Sequence, residues 1–112
     1  MNKTHEAFKE YFKNFPGIND NYFYEVAETF IKRFLGNMKK IPTFCLETYE
    51  EETRDYIKIK FNNSVYIKFW SNCIDVFGQN DFEINITNYI AAEQKLNFFL
   101  ENYKGQLEFE FE

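Results

Sequence analysis

The feature of the sequence that most constrains the fold is a strict two-residue alternation in the middle of the chain. Apolar side chains occupy every second position of two consecutive runs: Ile57, Ile59, Phe61, Val65, Ile67 and Phe69. Because successive side chains of a β-strand point to opposite faces of a sheet, this period predicts strands with one apolar face. Similar alternation occurs in three further segments, so the sequence predicts about five strands in all. Their segments are 43–49, 55–61, 65–70, 73–77 and 82–86.

The loops between these strands predict the register, because a shift of one residue exchanges the two faces of the sheet. A three-residue loop at 62–64 pairs Ile59 with Ile67 and keeps the apolar residues together. Such a loop needs one residue in the left-handed conformation, and Asn63 is expected to supply it. The same reasoning for the next two loops gives the further predicted pairs: Phe69–Ile74, Ile67–Val76, Lys68–Asp75, Val76–Ile84 and Ile74–Ile86.

Helical periodicity flanks the predicted strands on both sides. Apolar residues recur every three or four positions in the segments 8–15, 23–35 and 89–103, which predicts three amphipathic helices. Thr4 is expected to cap the first of them. The tail 107–112 alternates again and predicts an edge strand, whose glutamates would discourage edge-to-edge association.

The length of 112 residues fits one domain, since domains commonly have about 100–150 residues. We therefore predict a single α+β domain across residues 1–112. It has two N-terminal helices, an antiparallel β-meander of about five strands, a C-terminal helix and a final edge strand, with the helices on one face of the sheet.

The charge balance narrows the classes of partner. The chain has 18 acidic against 13 basic residues, a net charge of −5, whereas nucleic-acid and anionic-membrane binding call for a basic surface. The first residues are polar, and no apolar stretch approaches the roughly 18 residues of a membrane span, so we expect a soluble, cytoplasmic protein without a signal peptide. Two cysteines are too few for a disulfide framework, which agrees with a reducing compartment.

No group of residues specifies a catalytic chemistry. His5 is the only histidine and is expected on the surface of the first helix. Cys45 and Cys73 are isolated rather than paired as zinc ligands, and Ser64 and Ser71 have no histidine to activate them. We predict no catalytic residue, no metal site, no cofactor and no enzyme, with acid–base chemistry by carboxylates alone left open.

The predicted register puts aromatic and charged side chains on the sheet face that points away from the helices. Soluble proteins rarely expose large aromatic patches without a use, and tyrosine, tryptophan and basic residues are frequent in binding hot spots. Two alternatives are a solvated face on which lysine stems cover the rings, and a face covered by a terminal segment or a second copy of the chain. Asp75 is expected to neutralise Lys68. The candidate partner-binding residues of this face are Tyr56, Lys58, Tyr66, Lys68, Trp70, Asp75 and Phe77.

An acidic run around the first predicted strand turn is the second candidate feature. It consists of Glu47, Glu50, Glu51, Glu52 and Asp55, relieved only by Arg54. One interpretation is a solvated hairpin loop. The other is a negative patch that docks on a basic active site and raises the rate of association.

In size, acidity and lack of catalytic residues the chain resembles small acidic neutralising proteins, such as immunity proteins of bacterial toxins and phage anti-defence proteins. No motif aligns with such a family residue by residue. The resemblance implies a stoichiometric inhibitor that occludes a basic toxin or nuclease. The alternatives are a structural or regulatory homodimer and, third, a single-stranded nucleic-acid-binding domain that stacks bases on the sheet.

Overall fold

The computed structural model describes residues 2–36, 38, 40–78, 83–87 and 94–95. In this part of the chain, two α-helices, joined through a short 3₁₀ helix (Ile18–Asp20), precede a five-stranded antiparallel sheet. The sheet has the strand order β1-β2-β3-β4-β5, which is a simple meander. The elements are α1 (Lys3–Phe12), α2 (Tyr22–Phe34), β1 (Thr43–Tyr49), β2 (Arg54–Lys60), β3 (Tyr66–Phe69), β4 (Ile74–Phe77) and β5 (Glu83–Ile86).

The predicted α+β class and the predicted strand register are confirmed. Ile59 lies opposite Ile67 across β2 and β3. The later strands follow the predicted pairs as well: Phe69–Ile74, Ile67–Val76, Lys68–Asp75, Val76–Ile84 and Ile74–Ile86. The C-terminal helix and the final edge strand lie outside the described residues, apart from Gln94 and Lys95, which are helical.

The loop between β2 and β3 closes differently from the prediction. Among the described residues other than glycine, only Thr53 has a positive φ, at 50°, so Asn63 is not left-handed. Instead, the side-chain Oδ1 of Asn62 accepts hydrogen bonds from the backbone N–H groups of Ser64 and Val65, both at 2.8 Å. This side chain imitates a backbone turn, which makes the left-handed residue unnecessary.

The cap of α1 is Asn2 rather than the predicted Thr4. Asn2 Oδ1 accepts a hydrogen bond from the backbone N–H of His5 at 2.8 Å, while its Nδ2 donates to the carbonyl of Leu35 at 2.9 Å. Thr4 is fully buried within the first turn and donates to the carbonyl of Gly36 at 2.8 Å. The start of α1 therefore satisfies carbonyls just beyond the end of α2, which a helix terminus leaves without partners.

The two helices pack on one face of the sheet, as predicted. Phe8 of α1 meets Phe44 of β1 edge-on with ring centroids 5.5 Å apart, and Phe30 of α2 lies 5.6 Å from Phe69 of β3. Eight of the residues that the alternation assigns to this inner face are at most 1% exposed: Ile57, Ile59, Val65, Ile67, Phe69, Ile74, Val76 and Ile86. Phe61 is 9% exposed, and Ile84 is half-buried. Burying such a side chain stabilises the fold by about 1.5–3 kcal/mol.

No helix of the described ranges combines the length and the apolar character that a membrane span requires. His5, predicted on the surface, is half-buried between the two helices. Its Nε2 lies 3.1 Å from a carboxylate oxygen of Glu28 in α2. This contact and the Asn2 cap join α1 to α2, so the two helices form one layer.

Candidate protein-binding site

The outer face of the sheet brings the predicted aromatic and basic side chains together in cross-strand pairs. Lys58 lies directly opposite Lys68, which lies opposite Asp75 in the next strand. Tyr66 lies opposite Phe77 in the same way. Because directly opposite side chains of an antiparallel pair are close enough to interact, these rows set which rings and charges meet.

One half of the outer face is covered by its own lysines. The rings of Tyr66 and Phe77 stack with centroids 4.6 Å apart and planes 20° apart. The ammonium group of Lys58 lies 4.4 Å from the centroid of Tyr66, and that of Lys68 lies 5.4 Å from Phe77 and 5.0 Å from Tyr56. Like charges directly opposite one another repel, and attraction to the electron-rich ring faces offsets part of that repulsion. This half of the outer face matches the alternative of a solvated surface with covered rings.

Asp75 holds Trp70 in place instead of neutralising Lys68, so that prediction is wrong. One carboxylate oxygen accepts a hydrogen bond from Trp70 Nε1 at 2.9 Å, and the other accepts one from Asn85 Nδ2 at 2.5 Å. In the described part of the chain, no ion pair joins Asp75 to Lys68. A charged acceptor fits the indole N–H well, since hydrogen bonds to ionised groups are stronger than neutral ones.

Tyr56 supports the site from below rather than forming its accessible surface. It is only 8% exposed, and its ring packs against Trp70 at a centroid distance of 4.3 Å. Its hydroxyl donates a hydrogen bond to Glu47, the residue directly opposite in β1. The pKa of Tyr56 is raised to about 12, mainly because the hydroxyl is buried and secondly because it makes this hydrogen bond.

The other half of the outer face is an open depression of about 270 Å³ at the end of the sheet where β1 turns into β2. Tyr49 is 41% exposed and stands perpendicular to Trp70, with ring centroids 6.3 Å apart. The residues that line the depression are Tyr49, Glu52, Arg54, Tyr56, Lys68, Trp70, Cys73 and Asp75. We call these residues the aromatic depression.

Arg54 lies in the aromatic depression against the tryptophan. Its guanidinium carbon is 4.9 Å from the centroid of the Trp70 ring. Nη1 donates to a carboxylate oxygen of Glu52 at 3.0 Å, and Nη2 donates to Oδ1 of Asn72 at 2.6 Å. The side chain therefore joins the β1–β2 turn to the β3–β4 turn across the depression.

The acidic run does not form one patch. Glu50, Glu51 and Glu52 are exposed in the β1–β2 turn, and Glu51 accepts a hydrogen bond from the Tyr49 hydroxyl at 2.8 Å, which raises the pKa of that tyrosine. Asp55 alternates with its neighbours in β2, so it projects from the opposite side of the sheet, where it accepts a hydrogen bond from Thr48 at 2.6 Å. The depression consequently borders the turn glutamates and Glu47 but not Asp55.

Three residues of the depression were not among the predicted site residues, namely Tyr49, Arg54 and Cys73, and neither was Asn72, which accepts a hydrogen bond from Arg54. The β1–β2 register would have revealed the first two, since Tyr49 pairs directly with Arg54 across a four-residue turn. Cys73 is a free, half-buried thiol whose pKa is raised, mainly by burial, which keeps it protonated at neutral pH.

Comparisons with protein-family models, with curated proteins and with solved structures find no match to this chain. The residues that the structure describes include no group of three or more histidine, cysteine, aspartate and glutamate side chains placed to hold a metal ion. What the depression offers a ligand is two ring faces, carboxylates on its rim and one guanidinium already in place.

Proposed function

We propose that the protein is a non-catalytic binding module that occludes a basic protein partner, in the manner of an immunity protein or inhibitor acting on a toxin or nuclease. The observation that supports this proposal most directly is the aromatic depression, in which the ring of Tyr49 is exposed, that of Trp70 is half-buried, and both are already held by hydrogen bonds. Tryptophan and tyrosine in such positions contribute most to protein interfaces, because they bury a large area for few rotatable bonds.

Each ring of the depression has its polar group bound within the chain. Trp70 donates to Asp75, Tyr49 donates to Glu51, and Tyr56 packs behind Trp70 while donating to Glu47. A side chain that is fixed before binding avoids an ordering cost of about 0.5–1.5 kcal/mol when the partner arrives. The depression is therefore suited to bind a protein surface without rearrangement.

The charge around the depression favours a basic partner. Glu50, Glu51 and Glu52 border it on the turn, and the whole chain carries a net charge of −5. Negative charge at the rim of an interface attracts a positively charged surface over several ångströms and raises the association rate more than the affinity. Rim charge is therefore expected to act on the association rate and the central rings on the dissociation rate, so binding kinetics can separate the two contributions.

The first test concerns the rings. Tagged wild-type protein and the Trp70→Ala variant are used to capture partners from the native host, and a protein retained by the wild type is purified as a complex. Removing a central tryptophan typically costs 2 kcal/mol or more, so we expect Trp70→Ala to accelerate dissociation by about 30-fold or more in surface plasmon resonance. Phe77→Ala on the covered half is the matched control and should leave the dissociation rate within about twofold. Equal dissociation rates for wild type and Trp70→Ala would contradict the proposal.

The second test concerns the rim. We expect the double change Glu51→Lys and Glu52→Lys to slow association by about tenfold at low salt, with the difference shrinking as salt screens the charges. Glu10→Lys with Glu25→Lys makes the same change in net charge on exposed positions of the helical layer. If both double variants slowed association equally, net charge rather than the acidic turn would steer the partner.

A homodimer is a second candidate, and one observation favours it. The outer face carries the Lys58–Lys68 pair toward its middle and the turn glutamates at one end, so a two-fold axis could bring opposite charges of two copies together. Light scattering over a range of protein concentrations tests this candidate. A molecular mass that stays at the monomer value at the highest concentration would exclude it.

A further inference from the structure

The aromatic depression already contains a cation, and the way it is held suggests what the partner brings. The Arg54 guanidinium meets three kinds of group: the face of Trp70 at 4.9 Å, the Glu52 carboxylate at 3.0 Å and the Asn72 amide oxygen at 2.6 Å. A ring face, a carboxylate and a neutral oxygen acceptor together match the planar, five-donor guanidinium. They match the compact ammonium of lysine less well, because it has no flat surface to stack on an indole.

The ion pair that Arg54 makes with Glu52 is replaceable. Its side chain is 37% exposed and that of Glu52 is 54% exposed, so water screens the ion pair. Ion pairs of this kind contribute about 0–1 kcal/mol to stability. The two residues are also only two positions apart at the end of a turn, where Arg54 can move aside without disturbing the core.

The other groups around the depression leave room for a second guanidinium. Tyr49 contributes an exposed ring perpendicular to Trp70. Asp75 lines the depression together with Glu52, and Glu51 accepts the hydrogen bond of the Tyr49 hydroxyl. Lys68 is the second cation on the lining, and its ammonium lies against the rings of Tyr56, Tyr66 and Phe77, whereas the ring of Trp70 is met by Arg54. Acidic groups thus outnumber cations at this end of the sheet.

We propose that the aromatic depression is a guanidinium-binding subsite, in which an arginine of a basic partner takes the place over Trp70 that Arg54 occupies in the free protein. This inference rests on the proposed function and names the chemistry of its central contact. Arg54 acts as an internal competitor: it keeps the rings and Glu52 in their binding arrangement and lowers the affinity for single cations. A partner displaces it when its own arginine is supported by further contacts around the rim.

The test uses Trp70 as its own reporter, because it is the only tryptophan in the chain. A hexa-arginine peptide is titrated into wild-type protein and into the Arg54→Ala variant while tryptophan emission is recorded. Removing the competitor should tighten binding of hexa-arginine by about tenfold, equivalent to about 1.4 kcal/mol. Hexa-lysine should bind Arg54→Ala at least about threefold more weakly than hexa-arginine does, because it lacks the planar group.

Two control variants separate local competition from a change in overall charge. Arg33→Ala removes the same charge from α2, and Lys60→Ala removes one from the outer face away from the depression. Both should change hexa-arginine affinity by less than about twofold. Circular dichroism confirms that each variant is folded before titration. If Arg54→Ala bound hexa-arginine no more tightly than the two controls, or if hexa-lysine bound equally well, the subsite would be refuted.

The two proposals fail in different ways. In one outcome, a captured partner binds less tightly to Trp70→Ala, while Arg54→Ala changes the affinity neither for that partner nor for hexa-arginine. This outcome supports the binding module and overturns the guanidinium subsite. Tightened binding of hexa-arginine by Arg54→Ala, without any Trp70-dependent protein partner, establishes the subsite and overturns the proposed occlusion of a basic protein.

Discussion

The two faces of the sheet are both rich in bulky side chains, yet they are held in different ways. On the inner face, residues such as Ile59 and Ile67 are fully buried and are fixed by packing alone. On the outer face, Trp70 is fixed by a carboxylate and Tyr56 by a glutamate in the neighbouring strand. Packing holds side chains where water is excluded, whereas directional polar contacts can hold an aromatic ring in place while one of its faces remains open to a partner.

The largest expected difference between the faces is the effect of removing a phenylalanine. Phe69→Ala on the inner face should lower the free energy of unfolding by about 3–5 kcal/mol, because a fully buried ring leaves a cavity beside Phe30. Phe77→Ala on the outer face should lower it by about 1–2 kcal/mol, since that ring is half-buried and loses mainly its stacking on Tyr66. Urea unfolding measures both values.

A milder change keeps this comparison measurable if the alanine variant does not fold. Phe69→Leu retains much of the buried volume and should cost about 1–2 kcal/mol, still with an ordinary two-state transition. Equal losses for Phe69→Ala and Phe77→Ala would mean that the outer face is packed as tightly as the inner one, and the distinction drawn here would be wrong.

The sequence was sufficient to predict the faces and the register, for a definite physical reason. The period of two assigns every residue of a strand to one face, and loop length then allows only one pairing that keeps Ile59, Ile67 and Val76 together. The same rule also predicts the side of Asp55. Asp55 lies two residues before Ile57 in β2, so its side chain points to the same side of the sheet as Ile57 and not to the outer face. Proximity in sequence was the wrong guide there, because adjacent strand residues point to opposite sides.

Two aspartates on opposite faces of the sheet allow a second comparison, because the half-buried Asp75 holds an aromatic ring and the exposed Asp55 does not. Asp75→Ala should destabilise the fold by about 1–3 kcal/mol, because the hydrogen bonds to the Trp70 indole and to Asn85 are lost. Asp55→Ala removes an exposed hydrogen bond to Thr48 and should change stability by no more than about 0.5 kcal/mol. In addition, only Asp75→Ala should shift tryptophan emission to longer wavelength. An unshifted spectrum would show that the indole is held by its ring contacts and not by the carboxylate.

The hydrogen-bond partners of individual polar side chains could not be predicted from the sequence. Asp75 lies opposite Lys68 on one side and Asn85 on the other, so register alone left its partner open, and the indole of Trp70 reaches it diagonally. The cap of α1 posed the same problem, since both Asn2 and Thr4 are good capping residues. Asn2 occupies the cap position, whereas Thr4 is buried and donates its hydrogen bond to the carbonyl of Gly36. Such choices depend on where long-range neighbours place their donors and acceptors.

The smallest expected effect concerns the pH dependence of the support beneath Trp70. The folded protein raises the pKa of Tyr56 from 10.0 to about 12, so it favours the protonated phenol over the phenolate. The hydroxyl–carboxylate bond to Glu47 requires that proton. The hydrogen bond itself contributes about 1 kcal/mol to stability at neutral pH. Because burial also disfavours the phenolate, the stability that depends on this proton is fully present below pH 10 and falls by roughly 3 kcal/mol in total as the pH rises from 10 toward about 12.

Subtracting the Tyr56→Phe variant from the wild type isolates this group. We expect the difference in tyrosinate absorbance to reach its midpoint near pH 12 for the folded protein, and near pH 10 in concentrated urea, where burial and Glu47 no longer act. The stability advantage of wild type over Tyr56→Phe should disappear and then reverse across the same interval, because only the wild type must ionise a buried phenol. A midpoint near pH 10 in the folded state would place the Tyr56 hydroxyl in water. The outer face would then lack the fixed support on which the position of the Trp70 ring depends.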